Sequence, residues 1–182
     1  MCKIIIFMVA TIIFVYVSRK SLSNIRSHGF YRFFAWESIL VLVLMNVEFW
    51  FEKPFHPMQL LSWIFLFISI VLVVLGAVTL YKKGKPDKKR DDNSLYGIEK
   101  TTELVSTGIY RYLRHPIYAA GIYGAWGVFF KRPSLIAAGL TVLTCVLFTL
   151  TAKMEEVENI KYFGAAYQDY IKCTRMFIPF LF

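Results

Sequence analysis

Cysteine is scarce in this chain and badly placed for pairing. The 182 residues hold three, Cys2, Cys145 and Cys173, an odd number with no CxxC spacing. Cys145 lies inside a long apolar run. Neither a disulfide framework nor a zinc site is indicated, and no metal is expected. Acidic residues are also few: 12 Asp and Glu against 21 Lys and Arg, a formal net charge of +9. Charge of either sign is missing altogether from residues 58–81 and 133–152. About 20 apolar residues in a row suffice to cross the hydrocarbon core of a bilayer, so both runs meet that length. No internal repeat and no extended low-complexity segment occurs.

Apolar residues dominate what remains. They make up 57% of the chain, with 18% aromatic, well above a soluble domain. Besides the two uncharged runs there are apolar blocks at 1–17, 30–51 and 117–130. The second of these carries its charges, Arg32, Glu37 and Glu48, mostly near its ends. The block at 117–130 is short and needs its flanks, or a locally thinned bilayer, to span. Residues 1–17 begin like a leader peptide, but Ser18 runs into Arg19 and Lys20 where a small-x-small site would stand. They are expected to stay as a first helix. The expectation is an all-α integral membrane protein with about five transmembrane helices. A C-terminal amphipathic helix then caps a site on the cytoplasmic face.

Orientation follows from the basic residues. With five spans and the N-terminus outside, 17 of the 21 Lys and Arg fall on the inner side. The positive-inside rule favours that arrangement, which leaves the C-terminus cytoplasmic. The run KKGKPDKKR at 82–90 then reads as a basic stretch against an anionic leaflet, worth about 1 kcal/mol per residue near the surface. No nucleic-acid partner is needed to explain it; the bilayer is the expected partner.

The chain divides into a three-span region with a basic loop, 1–100, and a region at 101–182 that carries the polar motifs. Within 101–118 the sequence is TTELVSTGIYRYLRHPIY. Ser106-Thr107-Gly108 marks a turn, and a short helix can follow from Ile109. Pro116 disfavours helical geometry at His115, so a break is expected where the block at 117–130 begins. Such a break frees backbone groups to hold a ligand. In the tail, Met154, Val157, Ile160, Gly164, Tyr167 and Ile171 fall on one stripe of a helix. Glu155, Glu156 and Glu158 stand at its start, where the helix dipole favours acids. A hairpin through Lys131-Arg132-Pro133 brings Arg114 and His115 to the same membrane face as Glu155 and Glu156. A cationic cluster facing an anionic one suits a zwitterion, because charge-assisted hydrogen bonds are the strong class. An internal salt bridge between loop and tail is the alternative.

The run ELVSTGIYRYLRHPIYAAG, followed by EEVENIKYFGAAYQDYIKCTRMFIP, resembles the isoprenylcysteine carboxyl methyltransferase and phospholipid methyltransferase superfamily. The pieces that carry the resemblance are Leu104-Val105, Gly108, Tyr110, Arg114 to Pro116, Tyr118, Glu155-Glu156, Phe163-Gly164, Tyr167, Tyr170 and Pro179. It covers about the last 85 residues and implies an integral membrane enzyme that uses S-adenosylmethionine. Carried over by position, the cofactor is held by Thr102, Glu103, Leu104, Val105, Tyr110, His115, Pro116, Ile117, Tyr118 and Glu155. Glu155, Glu156 and Arg114 carry the chemistry, and the acceptor is a lipophilic small molecule or lipid.

One position departs from the pattern. The resemblance implies an arginine four residues before the paired glutamates, near an acceptor carboxylate. Here that residue is Thr151, and the nearest cation is Lys153. A lipid amine, a thiol or a phospholipid headgroup is therefore expected as acceptor, with a prenylated cysteine carboxylate as the alternative. A membrane reductase using a nicotinamide cofactor and a non-catalytic scaffold are the alternatives of another class. The charge split predicts that a reporter fused after Phe182 is cytoplasmic and that a tag within 52–57 is accessible from outside. Both reporting from the same side would contradict it.

Overall fold

The computed structural model describes residues 2–84 and 101–179. The basic run expected at the membrane surface falls largely outside them, from residue 85 onward. The described regular structure is helical: α1 (Cys2–Leu22), α2 (His28–Asn46), α3 (Pro57–Lys83), α4 (Pro116–Phe129), α5 (Leu135–Phe163) and α6 (Ala165–Cys173), with short 3-10 turns at Val47–Phe49 and Gly108–Arg111. An isolated parallel bridge joins Leu113 to Arg175.

Four of these helices are long and apolar enough to cross a membrane: α1, α2 extended through Phe49, α3 and α5. The multi-pass expectation stands in that form. Helix α4 has 14 residues, so it rises about 21 Å at 1.5 Å per residue, less than the roughly 30 Å hydrocarbon core. Its limits have local causes. Pro116 starts it at the first helical position, where a missing N–H costs nothing. At the other end the Lys131 ammonium donates to the carbonyl of Trp50 and to Gln59 Oε1 and lies 3.2 Å from the Trp63 ring centroid. That buried latch ties the end of α4 to the α2–α3 connection. Burial pulls the Lys131 pKa down to about 8.

Helix α4 runs antiparallel to α3 and lies deep in the bundle. Ser62 and Ser69 of α3 donate to the carbonyls of Gly127 and Ala120 at 2.6 and 2.7 Å. Pro116 and Ile117 pack beside Gly76, so α4 begins about two turns short of the α3 terminus. This stagger recesses the break at His115 below the helix ends. The α4 face toward its neighbours is small: Ala119, Ala120, Gly121 and Ala125 are buried there. Small residues let helices approach closely in a bilayer, where the hydrophobic effect does not drive association. Phe148 of α5 fills the space above Gly121; a Cβ there would stand 2.4 Å from its ring. Helix α2 packs antiparallel on α5, with Ser38 hydroxyl bonds to the Leu140 carbonyl and Thr144. Helix α1 packs against α2 and keeps most of its surface exposed.

The tail differs from the single stripe expected. Helix α5 continues unbroken from Leu135 to Phe163, and the chain turns at Gly164, with φ +63°, before α6. A change from apolar to charged residues does not end a helix; nothing from Ala152 to Phe163 breaks one, and Gly164 supplies the positive φ that does. Glu155, Glu156 and Glu158 are therefore not capping acids of a new helix. They sit deep in the last third of α5. Gly121→Ala should lower the melting temperature in detergent, at a cost of about 1–3 kcal/mol for overpacking. Gly139→Ala, with open space around it, should be neutral or stabilising by about 1 kcal/mol. Equal melting temperatures for the two variants would contradict this packing.

Candidate active site

The site is assembled where the tail closes on the break before α4. His115 adopts φ −126°, ψ 60°, outside the helical region. Residues 112–115 pair with the strand-like tail: the Arg175 N–H donates to the Tyr112 carbonyl, the Arg114 N–H to the Arg175 carbonyl at 2.8 Å, and the His115 N–H to the Met176 carbonyl. The break therefore loses no backbone hydrogen bonds to burial.

The ionic groups then meet in one place. Arg114 Nε donates to Glu156 Oε1 at 2.6 Å, while its Nη1 donates to the carbonyls of Thr174 and Ile171. The His115 ring is 3.5 Å from Glu155 through Nδ1 and 3.3 Å from Glu156 through Nε2. Burial alone would push the His115 pKa down. The hydrogen bonds and charges of both carboxylates outweigh it and raise it above 6.5. An imidazolium flanked by two carboxylates is the arrangement that keeps a buried histidine charged.

Aromatic rings surround this pair. Tyr118 stacks on His115 with centroids 5.5 Å apart, and Phe148 stacks on Tyr118 in turn. The Tyr170 hydroxyl donates to the Tyr110 carbonyl at 2.6 Å. Burial raises the pKa of Tyr170, and of Tyr167 beside Asn159, so both phenols remain protonated donors. Tyr110, Tyr118, Tyr167 and Tyr170, with the His115–Glu155 pair, wall a small open-mouthed recess of about 70 Å³. Glu155 and Asn159 reach it from α5, Tyr167 and Tyr170 from α6, and Leu80 from α3.

An acid and a base thus share one wall of the recess, with aromatic faces around them. The profile of the family described as Phospholipid methyltransferase matches residues 64–166, more than half of the chain. The chain belongs to the phospholipid methyltransferase family. Among its relatives, Protein-S-isoprenylcysteine O-methyltransferase of Xenopus laevis is 29% identical over 140 residues, covering 74% of this chain and 48% of the relative. The proteins of the same name from Dictyostelium discoideum and Tribolium castaneum are 28% and 30% identical, over 77% and 74% of this chain and 60% and 49% of theirs. The chain thus spans about half the length of the curated relatives it matches. The family match reaches back to residue 64, well ahead of the stretch that carries the resemblance in sequence, and takes in most of α3.

Of the expected cofactor residues, Leu104, Val105, Tyr110, His115, Pro116, Ile117, Tyr118 and Glu155 all line the recess. Thr102 and Glu103 do not; the Thr102 N–H is bonded to the Gly84 carbonyl and Glu103 is exposed. Arg114 lines the recess, while Glu156 stands behind it and holds Arg114 and His115. Thr151 is fully buried and its hydroxyl donates to the Leu147 carbonyl within α5. Lys153 is exposed. Neither presents charge to the recess.

A second polar cluster went unrecognised in the sequence. His28 and Arg32 of α2 are both buried, and His28 Nδ1 lies 2.5 Å from Glu158 of α5. Two basic residues four apart at the start of an apolar block share one helix face. That was the available signal.

A histidine with a raised pKa stabilises fully below its ordinary value, and the contribution is lost as pH rises through the raised value. The melting-temperature advantage of the wild type over His115→Gln in detergent should therefore be largest near about pH 6 and shrink toward about pH 9. An advantage that grows with pH would contradict the ion pairs.

Proposed function

We propose that this protein is an integral membrane methyltransferase that uses S-adenosylmethionine and methylates a lipophilic acceptor drawn from the bilayer. One observation carries the reading: a His115–Glu155 pair, buried and of opposite sign, on the wall of an aromatic recess. The residues fit the cofactor. Glu155 suits its ammonium and His115 its carboxylate. The faces of Tyr110, Tyr118, Tyr167 and Tyr170 suit a flat base and a sulfonium, which cations over aromatic rings favour. When bound, the cofactor supplies an electrophilic methyl group on a positively charged sulfur.

The chain's own residues contribute placement. Arg114 and Glu156 hold the tail against the break, so that His115 keeps its orientation. Tyr118 and Phe148 fix the imidazole plane. The stagger of α4 below α3 keeps the recess beneath the helix ends, where water is limited and electrostatic contacts are strong. An in-line displacement asks for alignment more than for an elaborate set of acids and bases. Membership of the phospholipid methyltransferase family supports the reaction class. The orientation we infer puts this end of the bundle in the cytoplasm, supported by the 17 basic residues of that side.

For the acceptor, a lipid amine, a thiol or a phospholipid headgroup is the lead. It rests on Thr151, buried and spent within its own helix, where a carboxylate-binding cation would stand. A prenylated cysteine carboxylate is the second reading. The relatives that bear that name favour it, as does buried Arg32 on the helix facing α5.

Calorimetry in detergent should show S-adenosylmethionine binding and no NADPH binding. His115→Ala and Glu155→Gln should each weaken it by about 10- to 150-fold, equivalent to roughly 1.5–3 kcal/mol for a charged hydrogen bond. Arg111→Ala, exposed on the 3-10 turn, should leave it unchanged. NADPH binding, or loss of stability in all three variants without selective loss of affinity, would contradict the proposal.

A further inference from the structure

A second cavity lies at the other end of the bundle from the recess, and the reading above gives it no role. It holds about 370 Å³ and opens between the α2–α3 connection, the start of α3 and the α4–α5 connection. Lys53, Lys131 and Arg132 line it, against one acid, Glu52. None of these cations has a carboxylate within ion-pair distance among the described residues. Glu48, whose charge interacts with Arg132, is already paired with Lys3 at 2.9 Å.

Lys131 is 5% exposed, and its ammonium is held by neutral groups: the Trp50 carbonyl, Gln59 and the Trp63 ring. Burial lowers its pKa, and no neighbouring charge opposes the fall. A buried cation without a counter-charge is costly unless an anion joins it. Lys53 supplies an independent sign. Its φ is 47°, in the region that favours glycine. Its carbonyl accepts the His56 N–H at 2.9 Å, so this conformation starts the turn that leads into α3. Backbone strain of this kind gathers at ligand clamps, and here it sets a lysine on the cavity wall. His56 Nδ1 accepts the Met58 N–H, which leaves Nε2 as the donor of a neutral ring.

The surroundings indicate the kind of anion. Phe51, Phe55, Leu135 and Ile136, close in the chain to the lining residues, are all exposed. In a bundle of membrane-spanning helices such side chains lie among acyl chains. The cations then stand at headgroup level, beside Trp50 and Trp63, where tryptophan is enriched.

We propose that this cavity binds the phosphate of an anionic glycerophospholipid between Lys53, Lys131 and Arg132, with the acyl chains along the exposed apolar side chains beside it. The proposal does not rest on the methyltransferase reading. A zwitterionic headgroup would bring a further positive charge to a cavity that holds three against one, whereas a glycerol headgroup brings hydroxyls that can donate to Glu52. The bound lipid braces the Lys131 latch and with it the end of α4.

The full-length protein, stripped of lipid in a neutral detergent, is titrated with phosphatidylglycerol, phosphatidylcholine and diacylglycerol of the same acyl chains, and with inorganic phosphate. Binding is read by native mass spectrometry and by melting temperature. Phosphatidylglycerol should bind and raise the melting temperature, phosphatidylcholine should bind at least about 5-fold more weakly, and the other two should do neither. Lys53→Gly and Arg132→Gln should each weaken phosphatidylglycerol binding about 5-fold, the worth of one cation near a charged surface, and about 25-fold together. Without lipid, Lys53→Gly should melt no lower than the wild type, because glycine accepts that φ. Lys161→Gln with Lys172→Gln removes the same charge from exposed positions at the recess end and should leave binding unchanged. An equal loss in that control pair, no binding of phosphatidylglycerol, or equal binding of phosphatidylcholine or diacylglycerol would each overturn the proposal. So would a response to inorganic phosphate alone, which would assign the cavity to a soluble anion.

Discussion

The interaction on which the rest depends is the pairing of the α5 acids with cations from other elements. Ionised carboxylates at the edge of a bilayer are costly unless charge and hydrogen bonds meet them there. Glu156 is met by Arg114, Glu155 by His115 and Glu158 by His28. The partners come from two pieces of chain: the segment before α4 supplies two of them, and the start of α2 the third. The acids thus dictate how α2, α4 and the tail sit around α5. They also make a candidate site, because some of the charges that join the helices face an open-mouthed recess.

The supports of this cluster lie at a distance. The Lys131 latch and the serine bonds along α3 fix where α4 begins and ends. Gly121 lets Phe148 reach Tyr118, which in turn stacks on His115. Positioning of the imidazole is therefore distributed through the bundle core. The short α4 is a consequence: it needs to reach only from the Lys131 latch to the recessed break.

Much of this was legible in the sequence, for identifiable reasons. Uncharged runs define α3 and α5 because length and hydropathy alone set a span. Pro116 marks the break at His115 because its ring excludes the helical conformation of the preceding residue. The recess residues on 104–118 followed from the motif. The continuity of α5 was not legible, since charge gives no stop signal and only Gly164 does. Nor was the α2 pair. His28 and Arg32 acquire meaning only when α2 is laid antiparallel on α5, a long-range contact that local pattern does not encode. Thr151 could be read from the sequence as a residue that offers an acceptor no charge, but not that its hydroxyl bonds its own helix backbone.

The claim that the α5 acids and the His115 break form the cofactor site can be tested without any acceptor. The measurement is ultraviolet cross-linking of labelled S-adenosylmethionine to the purified protein, followed by peptide mapping. The account predicts label on the peptides that carry Tyr110 to Tyr118 and Phe163 to Tyr170, displaced by S-adenosylhomocysteine and not by NADPH. Label confined to the opposite end of the bundle, around Trp50 to Gln59, or label that NADPH displaces, would contradict it.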